Sequence, residues 1–597
     1  MVASSSSPTP VIPIFLEGCF TAIAFAASFA WPSLGAGWFS CIERAFSRLA
    51  RKKGLSVVII GFSALLLRLA ILPFCPIPLP FVPDDFSFLL SADTFAHFRL
   101  ANPTPAMWTH FESIHITMVP TYASMYFPAQ GLVLAAGKLL FGHPWYGLLI
   151  TSALMCASIC WMLQAWLPPS WALLGGLLAI LHLALFSYWI NTYHAAGAIG
   201  ALGGSLILGA LPRLMKTARF RNGLLMAVGI VLVALTRPYE GLLLCLPVAL
   251  VLGRWAFRGK NRPPAAVLLR RAALPLAFIA AAIAWLGYYD YRAFSNPATL
   301  PYTVDRAEYA VAPYYVWQSQ RPDPGYRHAS LRHFYYDNEL SAYKKIHSWS
   351  GFLPQVVVKV GFALVFFAGF ALFPPLIMVR RALMDRRIRF LVVCLLVMMA
   401  GMLIQIFLIP HYLAPFVGVF YAIGLQSMRH LRLWSPGDKP VGATLVRLSV
   451  TICLVMAGLR LYAGPLHLAL PMWPAANWNY TWYGPDHFGT ERARIESSLE
   501  QLPGKQLVIV RYSSLHNPLE EWVYNSADID GSKVIWAREM DSSNNDELIR
   551  YYHDRQIWLA QPDTRPAATL SPYPMPAQLA TSIESVAAKS VSKGVEP

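Results

Sequence analysis

The chain has 597 residues, of which 56% are hydrophobic and 13% are charged, and its formal net charge is +17. Soluble domains carry about 25% charged residues, so this composition excludes an ordinary soluble protein and indicates a polytopic α-helical membrane protein. The basic residues cluster at the ends of apolar runs, as the positive-inside rule describes, so the charge does not predict a nucleic-acid partner.

Residues 1–54 predict an extra apolar helix followed by a basic cytoplasmic segment. Residues 10–31 are long enough to span a bilayer, although Glu17 interrupts them. Residues 45–54 carry four basic side chains, Arg48, Arg51, Lys52 and Lys53. The positive-inside rule places this segment in the cytoplasm, so the next apolar run, 55–75, crosses outward.

The later apolar runs decide the topology. The runs predicted to cross the bilayer are residues 145–167, 171–189, 194–211, 223–235, 241–255, 272–288, 354–379, 390–409, 412–426 and 444–462. The run at 129–142 has about 14 residues, a length typical of a re-entrant or interfacial segment. If it crossed, every later basic cluster would lie outside, so the positive-inside rule predicts that it does not cross. The chain then has about 11–12 transmembrane helices.

This topology divides the chain into four parts. They are an N-terminal extra helix with its basic segment (1–54), a transmembrane domain (55–464) with long outer loops at 76–144 and 290–353, a small outer α/β domain (465–561) and a disordered tail (562–597). The α/β domain is predicted from helices at 491–501 and 545–554 that alternate with strands at 506–512, 533–538 and 556–560. It has no Gly-rich phosphate loop, so no nucleotide is predicted. The tail is rich in Pro, Ala and Ser, which is typical of disorder.

The first outer loop concentrates ionisable side chains beside the membrane, beginning with the acidic pair Asp84 and Asp85. The pair follows Pro83 and precedes an amphipathic stretch, so one carboxylate is explained as a helix N-cap. Capping needs one carboxylate, which leaves the other to act as a base or to bind a metal. The loop supplies further candidates: Arg99, His110, Glu112, His115, Tyr122 and Tyr126. Its histidines and glutamate are not spaced as in the HExxH zinc motif, and an ordinary surface loop explains them equally well.

Few ionisable residues lie in or beside the apolar runs, and this topology places them near outer helix ends: Lys138, Arg237, Glu240, Lys359 and His411. Arg237 in TRPYEG and His411 in PHYLAP suit a phosphate at headgroup depth. They are explained equally well as interfacial anchors beside Tyr239 and Tyr412. No chain of acids or bases crosses the middle of the bilayer, so the sequence favours a polar site that faces outward.

At these residues the sequence resembles the GT-C superfamily of polytopic glycosyltransferases, which includes protein O-mannosyltransferases and aminoarabinose transferases. It is similar to uncharacterised bacterial members with an Asp-Glu-Phe-Ser-Tyr-type first-loop motif, a Tyr-Pro-Pro-Ala-Gln-Gly segment, and Arg-Pro-Tyr-Glu-Gly and His-Tyr-Ala-Ala-Pro turns. Here these stand as DDFSF at 84–88, YFPAQG at 126–131, RPYEG at 237–241 and HYLAP at 411–415. The resemblance covers roughly residues 45–560.

The resemblance implies transfer of a sugar from a polyprenyl-phosphate donor to a saccharide, lipid or protein acceptor. The reaction would invert the anomeric carbon at the outer face of the bacterial cytoplasmic membrane. A first-loop acid would deprotonate the acceptor hydroxyl or hold a divalent metal, Mg²⁺ or Mn²⁺, at the donor phosphate. By position, Asp84 is the expected base and Asp85 a supporting residue or metal ligand. Substrate binding is expected from Arg99, His110, Glu112, Tyr122, Tyr126, Lys138, Arg237, Glu240 and His411.

The sequence departs from the family pattern at several positions. They are Asp85 in place of Glu, Phe88 in place of Tyr, Phe127 within the Pro-Pro pair, and Met125 where relatives tend to have Lys. The change at Met125 removes a candidate phosphate contact. Either Lys138 or Arg237 compensates for it, or this chain has a changed substrate or has lost activity.

Two other classes of function stay open. A transporter or lipid flippase would show balanced repeats and polar residues at the midplane, and the sequence has little of either. A non-catalytic scaffold of an envelope-polysaccharide complex would use the outer α/β domain as its contact surface. Replacement of Asp84 separates the scaffold from the enzyme, because only the enzyme loses turnover.

Overall fold

The structure is a computed structural model that describes residues 12–259, 262–463 and 489–574, and most of it is helical. The helices before the second outer loop are α1 Ile12–Ala30, α2 Ala36–Arg51, α3 Lys53–Ala70, α4 Pro83–Ala96, α5 Pro128–Phe141, α6 Trp145–Trp166, α7 Pro169–Ala179, α8 Tyr188–Asn191, α9 Gly197–Thr217, α10 Phe220–Ala234, α11 Pro238–Arg258 and α12 Ala265–Phe294. Two short antiparallel strands, β1 Ile116–Thr117 and β2 Ala123–Ser124, lie in the first outer loop.

The second outer loop and the remaining membrane helices follow. They are α13 Pro301–Glu308, α14 Ala329–Arg332, α15 Leu340–His347, α16 Trp349–Ala368, α17 Val379–Leu383, α18 Arg389–Leu403, α19 Val417–Arg432 and α20 Val441–Ala463. The chain forms π-helices at Ile180–Leu185 and His333–Glu339 and 3-10 helices at Trp108–His110, Pro374–Met378, Pro410–Phe416 and Pro436–Asp438.

The protein is a multi-pass helical membrane protein. Within the described ranges, seven helices are long and apolar enough to cross a membrane: α3, α6, α9, α11, α12, α16 and α20. Shorter apolar helices occur at Phe15–Ala30, Pro128–Phe141, Pro169–Leu185, Phe220–Ala234 and Arg389–Leu403. The segment that the sequence predicts not to cross is α5, which has 14 residues and belongs to the shorter group.

Two predicted membrane runs are wrong in their extent. The run 354–379 does not form one helix, because α16 ends at Ala368 and Gly369 adopts a φ of 60°. A glycine tolerates this left-handed conformation, and the prolines that begin Pro374–Met378 have no N–H to donate. The run 390–409 also breaks, since its last residues pair with the second outer loop: Val316 N donates to Ile404 O at 3.0 Å, and Ile406 N donates to Tyr314 O at 2.9 Å.

The two outer loops contact each other, which restricts the topology. Tyr309 of the second loop donates a hydrogen bond from its hydroxyl to Glu112 Oε1 of the first loop at 2.9 Å. Loops in contact lie on one side of the membrane, so an even number of crossings separates them. The runs predicted to cross between them, from 145–167 to 272–288, are even in number, and a crossing by α5 would make the number odd. The contact therefore favours an α5 that does not cross.

The C-terminal unit is a four-stranded mixed sheet with helices packed on it. Its strands are β3 Lys505–Val510, β4 Val534–Arg538, β5 Arg555–Gln561 and β6 Thr569–Pro572, in the order β4-β3-β5-β6. Strand β3 is parallel to β4 and β5, and β6 is antiparallel to β5. Its helices are α21 Thr490–Gln501 and α22 Ser542–Tyr551. Alternate residues of β3 face α21 and α22, which buries both faces of this central strand.

The predicted tail begins too early. Strand β6 lies within the segment 562–597 that the sequence predicts to be disordered, and Leu570 pairs with Ala560 across the sheet. Residues 575–597 of that tail, and residues 464–488 before the α/β unit, lie outside the described residues. The prediction of disorder is therefore wrong for Thr569–Pro572.

The α/β unit packs against the first outer loop. One hydrophobic cluster contains Leu507 and Ile509 of β3 together with Phe111, Ile116 and Tyr122 of the first loop. The first outer loop, the second outer loop and the α/β unit are therefore the three outer parts of the chain, and they form one packed assembly on one side of the membrane helices.

Candidate active site

The acidic pair begins α4, but its two carboxylates have different environments. Pro83 is the first residue of the helix, and neither Asp84 nor Asp85 caps it with a side-chain hydrogen bond; Val82 occupies the N-cap position. Successive residues on a helix point about 100° apart. The Asp85 side chain is fully buried, whereas 19% of the Asp84 side chain is exposed. The N-cap explanation of the pair is therefore wrong, and only Asp84 is accessible.

Asp85 holds the backbone of a neighbouring segment in place. Its Oδ1 accepts a hydrogen bond from Tyr193 N at 2.8 Å and lies 2.9 Å from His194 Nδ1, and its Oδ2 accepts from Phe81 N at 3.4 Å. Burial by itself would lower the pKa of His194, but the negative charge of Asp85 raises it. Both oxygens of Asp85 are thus engaged by protein donors, so this geometry does not support the predicted role of Asp85 as a catalytic residue or metal ligand.

Asp84 lies against a histidine and a tyrosine. The Tyr126 hydroxyl donates a hydrogen bond to Asp84 Oδ1, and His115 Nδ1 lies 3.2 Å from the same oxygen. The Tyr126 hydroxyl and His115 Nδ1 are 3.0 Å apart. Burial alone would raise the pKa of Asp84, but the charge and hydrogen bond of His115, with smaller contributions from His194 and Tyr126, hold it well below its usual range. Asp84 is therefore an ionised carboxylate at neutral pH.

The backbone of His115 fixes its ring at Asp84. His115 has a φ of 65°, a left-handed conformation that costs a non-glycine residue about 1–3 kcal/mol. Its N–H donates to the Tyr335 hydroxyl at 3.3 Å, and its carbonyl accepts from Ser87 Oγ at 2.6 Å and from Met125 N at 3.2 Å. In the sequence, His115 stands out only as a possible metal ligand with His110 and Glu112, and the spacing of these residues is not that of the HExxH motif. Its pairing with Asp84 depends on the β1–β2 hairpin, which leaves little signal in the sequence.

The stabilisation that His115 provides should depend on pH. Burial alone would lower its pKa, but Asp84 raises it above the ordinary value of 6.5. A histidine with a higher pKa in the folded state stabilises that state below its unfolded pKa, and the contribution is lost as the pH rises through the folded pKa. We therefore expect His115→Gln to lower the unfolding temperature more at pH 6 than at pH 9. Asp84 stays ionised across this window because its pKa is lowered.

Thermal unfolding in lipid nanodiscs tests this expectation. His553 is exposed on the α/β unit, and the control variant His553→Gln should leave both unfolding temperatures unchanged. An equal effect of His115→Gln at the two pH values would contradict the pairing of His115 with Asp84.

A cationic group lies near Tyr126. Arg237 is 7% exposed, and its guanidinium stacks over the Tyr412 ring at 4.3 Å. It interacts electrostatically with Tyr302, Glu240, Tyr412 and Tyr126, yet no residue in the described ranges accepts a hydrogen bond from its side chain. Glu240 is buried in the first turn of α11, where an acidic side chain complements the helix dipole. A buried guanidinium without an acceptor is suited to an incoming anion.

His411 connects this region to Asp85. Its Nδ1 lies 2.9 Å from the Tyr188 hydroxyl, which also accepts from His411 N at 3.0 Å. The His411 and His194 rings meet edge to face at 6.2 Å. Helix α9 fixes the PHYLAP turn, because a Cβ on Gly204 would collide with the Pro415 carbonyl. The structure thus places four of the predicted site residues near one another: Asp84, Tyr126, Arg237 and His411.

Three predicted binding residues instead hold the outer parts together. His110 Nδ1 lies 2.9 Å from Arg538 O in the α/β unit, and the Tyr122 hydroxyl donates to Asn525 O at 2.9 Å. Glu112 accepts from Tyr309 and pairs with Arg327 at 3.1 Å. All three side chains are buried in these contacts, so the geometry assigns them to assembly of the outer loops and not to substrate binding.

Two further predicted residues lie at the other end of α4. Lys138 Nζ pairs with Asp93 Oδ1 at 2.6 Å, and Arg99 is exposed just beyond the helix. Asp93 is nine residues from Asp84 along α4, which corresponds to about 14 Å. The structure does not bring Lys138 or Arg99 to the acidic pair, so Arg237 is the cation that can compensate for Met125.

Arg538 joins all three outer parts. Its side chain donates to Glu112 O at 2.5 Å, to Ser330 Oγ at 2.9 Å and to Glu521 Oε2 at 2.5 Å, and only 2% of it is exposed. Removal of one member of a buried ion pair costs about 3–5 kcal/mol. We therefore expect Arg538→Met to lower the free energy of opening of β3 and β4 by that amount, measured by hydrogen exchange with mass spectrometry.

The matched control for this variant is Arg511→Met. Arg511 pairs with Glu539 at 2.5 Å on the surface of the same unit, and 46% of its side chain is exposed. Exposed pairs contribute about 0–1 kcal/mol, so exchange should change little. Equal exchange in both variants would show that Arg538 does not join the outer parts.

The residues present do not fit a divalent metal. In residues 12–259, 262–463 and 489–574, no three His, Cys, Asp or Glu side chains lie close enough together to hold one ion. The Asp85 oxygens accept hydrogen bonds from the protein, and Asp84 faces a histidine and a tyrosine. The predicted Mg²⁺ or Mn²⁺ ligand Asp85 therefore has no metal site around it in this arrangement.

No protein-family model and no curated protein sequence matches the chain. Solved structures similar to it include the oligosaccharyltransferase of Archaeoglobus fulgidus tethered to an acceptor peptide containing the NVT sequon, at 11% identity and a TM-score of 0.43, covering 85% of this chain and 68% of that one. ArnT of Cupriavidus metallidurans in the apo state matches at 12% identity and a TM-score of 0.45, covering 85% of this chain and 93% of that one. At such low identity, the chemistry has to be inferred from this chain's own residues.

Proposed function

We propose that this protein is a membrane glycosyltransferase of the GT-C type that moves a sugar from a polyprenyl-phosphate donor to an acceptor hydroxyl. The observation that carries the proposal is the pairing, around Tyr126, of an ionised and accessible carboxylate with a buried cation. Asp84 accepts a hydrogen bond from Tyr126, and Arg237 interacts electrostatically with the same tyrosine while no described residue accepts from its guanidinium. A base and an anion site near one tyrosine are suited to the displacement of a phosphate by a hydroxyl.

A lipid-linked donor is supported by an apolar groove that begins beside this site. A cavity of about 320 Å³ lies between α16, α18 and α19, and its lining is almost entirely apolar. Leu413, two residues beyond His411, lies at one end, and Met428 lies towards the other. This distance is about 22 Å at helical rise, most of the hydrocarbon thickness of about 30 Å. The first isoprene units of a polyprenyl chain can therefore lie along the groove, with the phosphate near Arg237.

Lys359 supplies a second cation at this groove. It lines the groove, is 8% exposed, and donates from Nζ to Gln405 O at 2.5 Å. Gln405 lies in the segment that pairs with the second outer loop through Tyr315. The groove and the second outer loop are thus joined by direct contacts, and Arg237 stacks over Tyr412, the neighbour of the groove-lining Leu413.

The proposed reaction is a single displacement. The acceptor oxygen bonds to the anomeric carbon while the bond from that carbon to the phosphate oxygen breaks, so the configuration inverts and polyprenyl phosphate leaves. The acceptor proton passes to Asp84, and Arg237 offsets the charge on the leaving phosphate. Since the pKa of Asp84 is low, it takes the proton only after the hydroxyl has become acidic by beginning to bond to carbon. Tyr126 and His115 hold the carboxylate in position.

The proposed location is the outer face of the bacterial cytoplasmic membrane. The first loop, the second loop and the α/β unit pack together, so the site and the C-terminal unit share one side. The basic residues at the opposite helix ends, such as Arg387 and Arg429, favour the cytoplasm for the other side.

The proposal is tested with purified protein in lipid nanodiscs. The protein is incubated with a panel of polyprenyl-phosphate sugars and a membrane lipid extract as acceptor, with added divalent metal or with chelator. Mass spectrometry detects released polyprenyl phosphate. We expect release from one donor class. No release from any donor, by protein that still binds the lipids, would overturn the proposal and favour a non-catalytic scaffold.

A further inference from the structure

The second outer loop contains an open cavity, apart from Asp84, whose lining residues mostly carry polar groups. Its volume is about 620 Å³. Two chain segments line it, residues 317–320 and residues 343–348, the second of which leads directly into α16. The cavity therefore lies just outside the membrane, on the same side as the candidate active site.

The walls of this cavity are tied together by specific contacts. The Tyr343 hydroxyl donates to Gln318 O at 3.0 Å, and His347 Nδ1 lies 3.1 Å from Val316 O. Val316 N in turn donates to Ile404 O at 3.0 Å, beside the apolar groove. The cavity is thus fixed to the membrane domain.

Trp317 forms a flat platform at this cavity. Its ring is 62% exposed and stacks on Tyr315 with centroids 4.7 Å apart and an interplanar angle of 8°. Tyr315 packs on Tyr239 at 5.4 Å, and the Tyr239 hydroxyl is anchored on Gly401 O at 2.9 Å. One face of the indole is therefore supported by two further rings, and the other is open.

Three polar side chains around the platform are unengaged. The side chains of Ser319, Gln320 and Lys344 have no hydrogen-bond partner in the described part of the chain. The lining contains Lys344 and His347 but no carboxylate. An open aromatic face with free amide, hydroxyl and ammonium groups suits a ring that carries hydroxyls and a negative charge.

We propose that this cavity binds an acidic saccharide, stacked on Trp317 with its carboxylate or phosphate at Lys344. The proposal deepens the proposed function and rests on it, because it makes this saccharide the acceptor. A row of aromatic rings connects the cavity to the candidate active site. Tyr314, next to Tyr315, packs on Tyr302 at 6.2 Å, and Tyr302 packs on Tyr126 at 5.9 Å. Tyr126 hydrogen-bonds Asp84, so an extended acceptor on Trp317 can lead towards the base.

Anchoring in the membrane interface is the competing role for an exposed tryptophan. Two observations favour the saccharide. Trp317 is held flat against Tyr315, and its neighbours 318–320 are Gln, Ser and Gln, which would not enter a bilayer. An interfacial anchor is therefore one outcome of the test and not the proposal.

The test measures binding of two tetrasaccharides, the acidic tetragalacturonate and the neutral maltotetraose, to the full chain in phosphatidylcholine nanodiscs. Microscale thermophoresis without any donor gives the dissociation constants. We expect tetragalacturonate to bind more tightly and the difference to shrink as salt is added. Trp317→Ala should weaken binding of both about tenfold, and Lys344→Ala should make the two affinities equal. The control is Trp38→Ala on α2, where the tryptophan is 83% exposed.

Three results would overturn the proposal. They are no binding of either tetrasaccharide to the wild type, equal binding of both to the wild type, and undiminished binding to Trp317→Ala. If Trp317→Ala keeps its affinity for both tetrasaccharides and only unfolds at a lower temperature in the nanodiscs, Trp317 is a membrane anchor and the proposal is also wrong. Because no donor is present, failure here is distinct from failure to release polyprenyl phosphate.

Discussion

Replacement of Asp84 by Asn is expected to abolish sugar transfer while leaving the protein folded. The amide keeps the size of the side chain and can still contact Tyr126, but it cannot take the acceptor proton. General-base catalysis contributes about 10²–10⁴-fold, so release of polyprenyl phosphate should fall by that factor. Binding of the donor lipid should change little, because Arg237 and the groove are untouched. Release is measured by mass spectrometry, and donor binding by native mass spectrometry.

The matched control is Asp337→Asn in the second outer loop. Asp337 forms an exposed pair with Arg332 at 3.7 Å and faces the same side of the membrane. We expect its turnover to equal that of the wild type. Turnover by Asp84→Asn at the wild-type rate would remove Asp84 as the base, and turnover lost equally in both variants would indicate damage to the outer loops.

Replacement of Arg237 by Ala is expected to weaken binding of the lipid phosphate. A hydrogen bond to a charged group contributes about 1.5–3 kcal/mol, so the dissociation constant of undecaprenyl phosphate should rise about 10- to 100-fold. Arg237→Lys should bind more tightly than Arg237→Ala but less tightly than the wild type, because lysine keeps the charge and lacks the planar guanidinium that binds a phosphate through two N–H groups. Native mass spectrometry of nanodiscs with increasing undecaprenyl phosphate measures the effect.

Arg332→Ala is the control for this variant. Arg332 also stacks over a tyrosine, with its guanidinium 4.7 Å from the Tyr336 ring, but half of its side chain is exposed. Its removal should leave lipid binding unchanged. If Arg237→Ala bound undecaprenyl phosphate as tightly as the wild type, the buried guanidinium would not be the phosphate site.

The helical part of the fold could be predicted from the sequence because apolar length is a strong signal. The predicted elements are wrong where one residue breaks a helix or where the backbone pairs with a segment far away in the sequence. The run 354–379 breaks at Gly369, and the run 390–409 ends early because Ile404 and Ile406 bond the second outer loop. Strand β6 was missed because its Pro- and Ser-rich sequence is typical of disorder, and only its pairing with β5 makes it a strand.

The candidate site was predicted in part. The acidic pair, Tyr126, Arg237 and His411 were found from residue type and position beside apolar runs. The sequence could not separate Asp84 from Asp85, since their difference is set by Tyr193 and His194, which pack against one carboxylate and not the other.

For other residues the sequence predicts only a general role, or a role that their contacts do not support. Tyr302 is surrounded by Tyr126, Phe127 and Tyr314, yet in the sequence it is one of many loop tyrosines. His110 looked like a site residue because it is polar and lies in the right loop. Its partners are backbone carbonyls of the α/β unit, more than four hundred residues away along the chain.

A cryo-EM structure of the wild-type protein in nanodiscs that contain undecaprenyl phosphate would locate the lipid phosphate, and it does not require the sugar to be known. We expect a phosphate within hydrogen-bonding distance of the Arg237 guanidinium, with the polyprenyl chain entering the groove between α16, α18 and α19. A phosphate bound elsewhere, or a groove filled by ordinary phospholipid while undecaprenyl phosphate is present, would contradict this expectation.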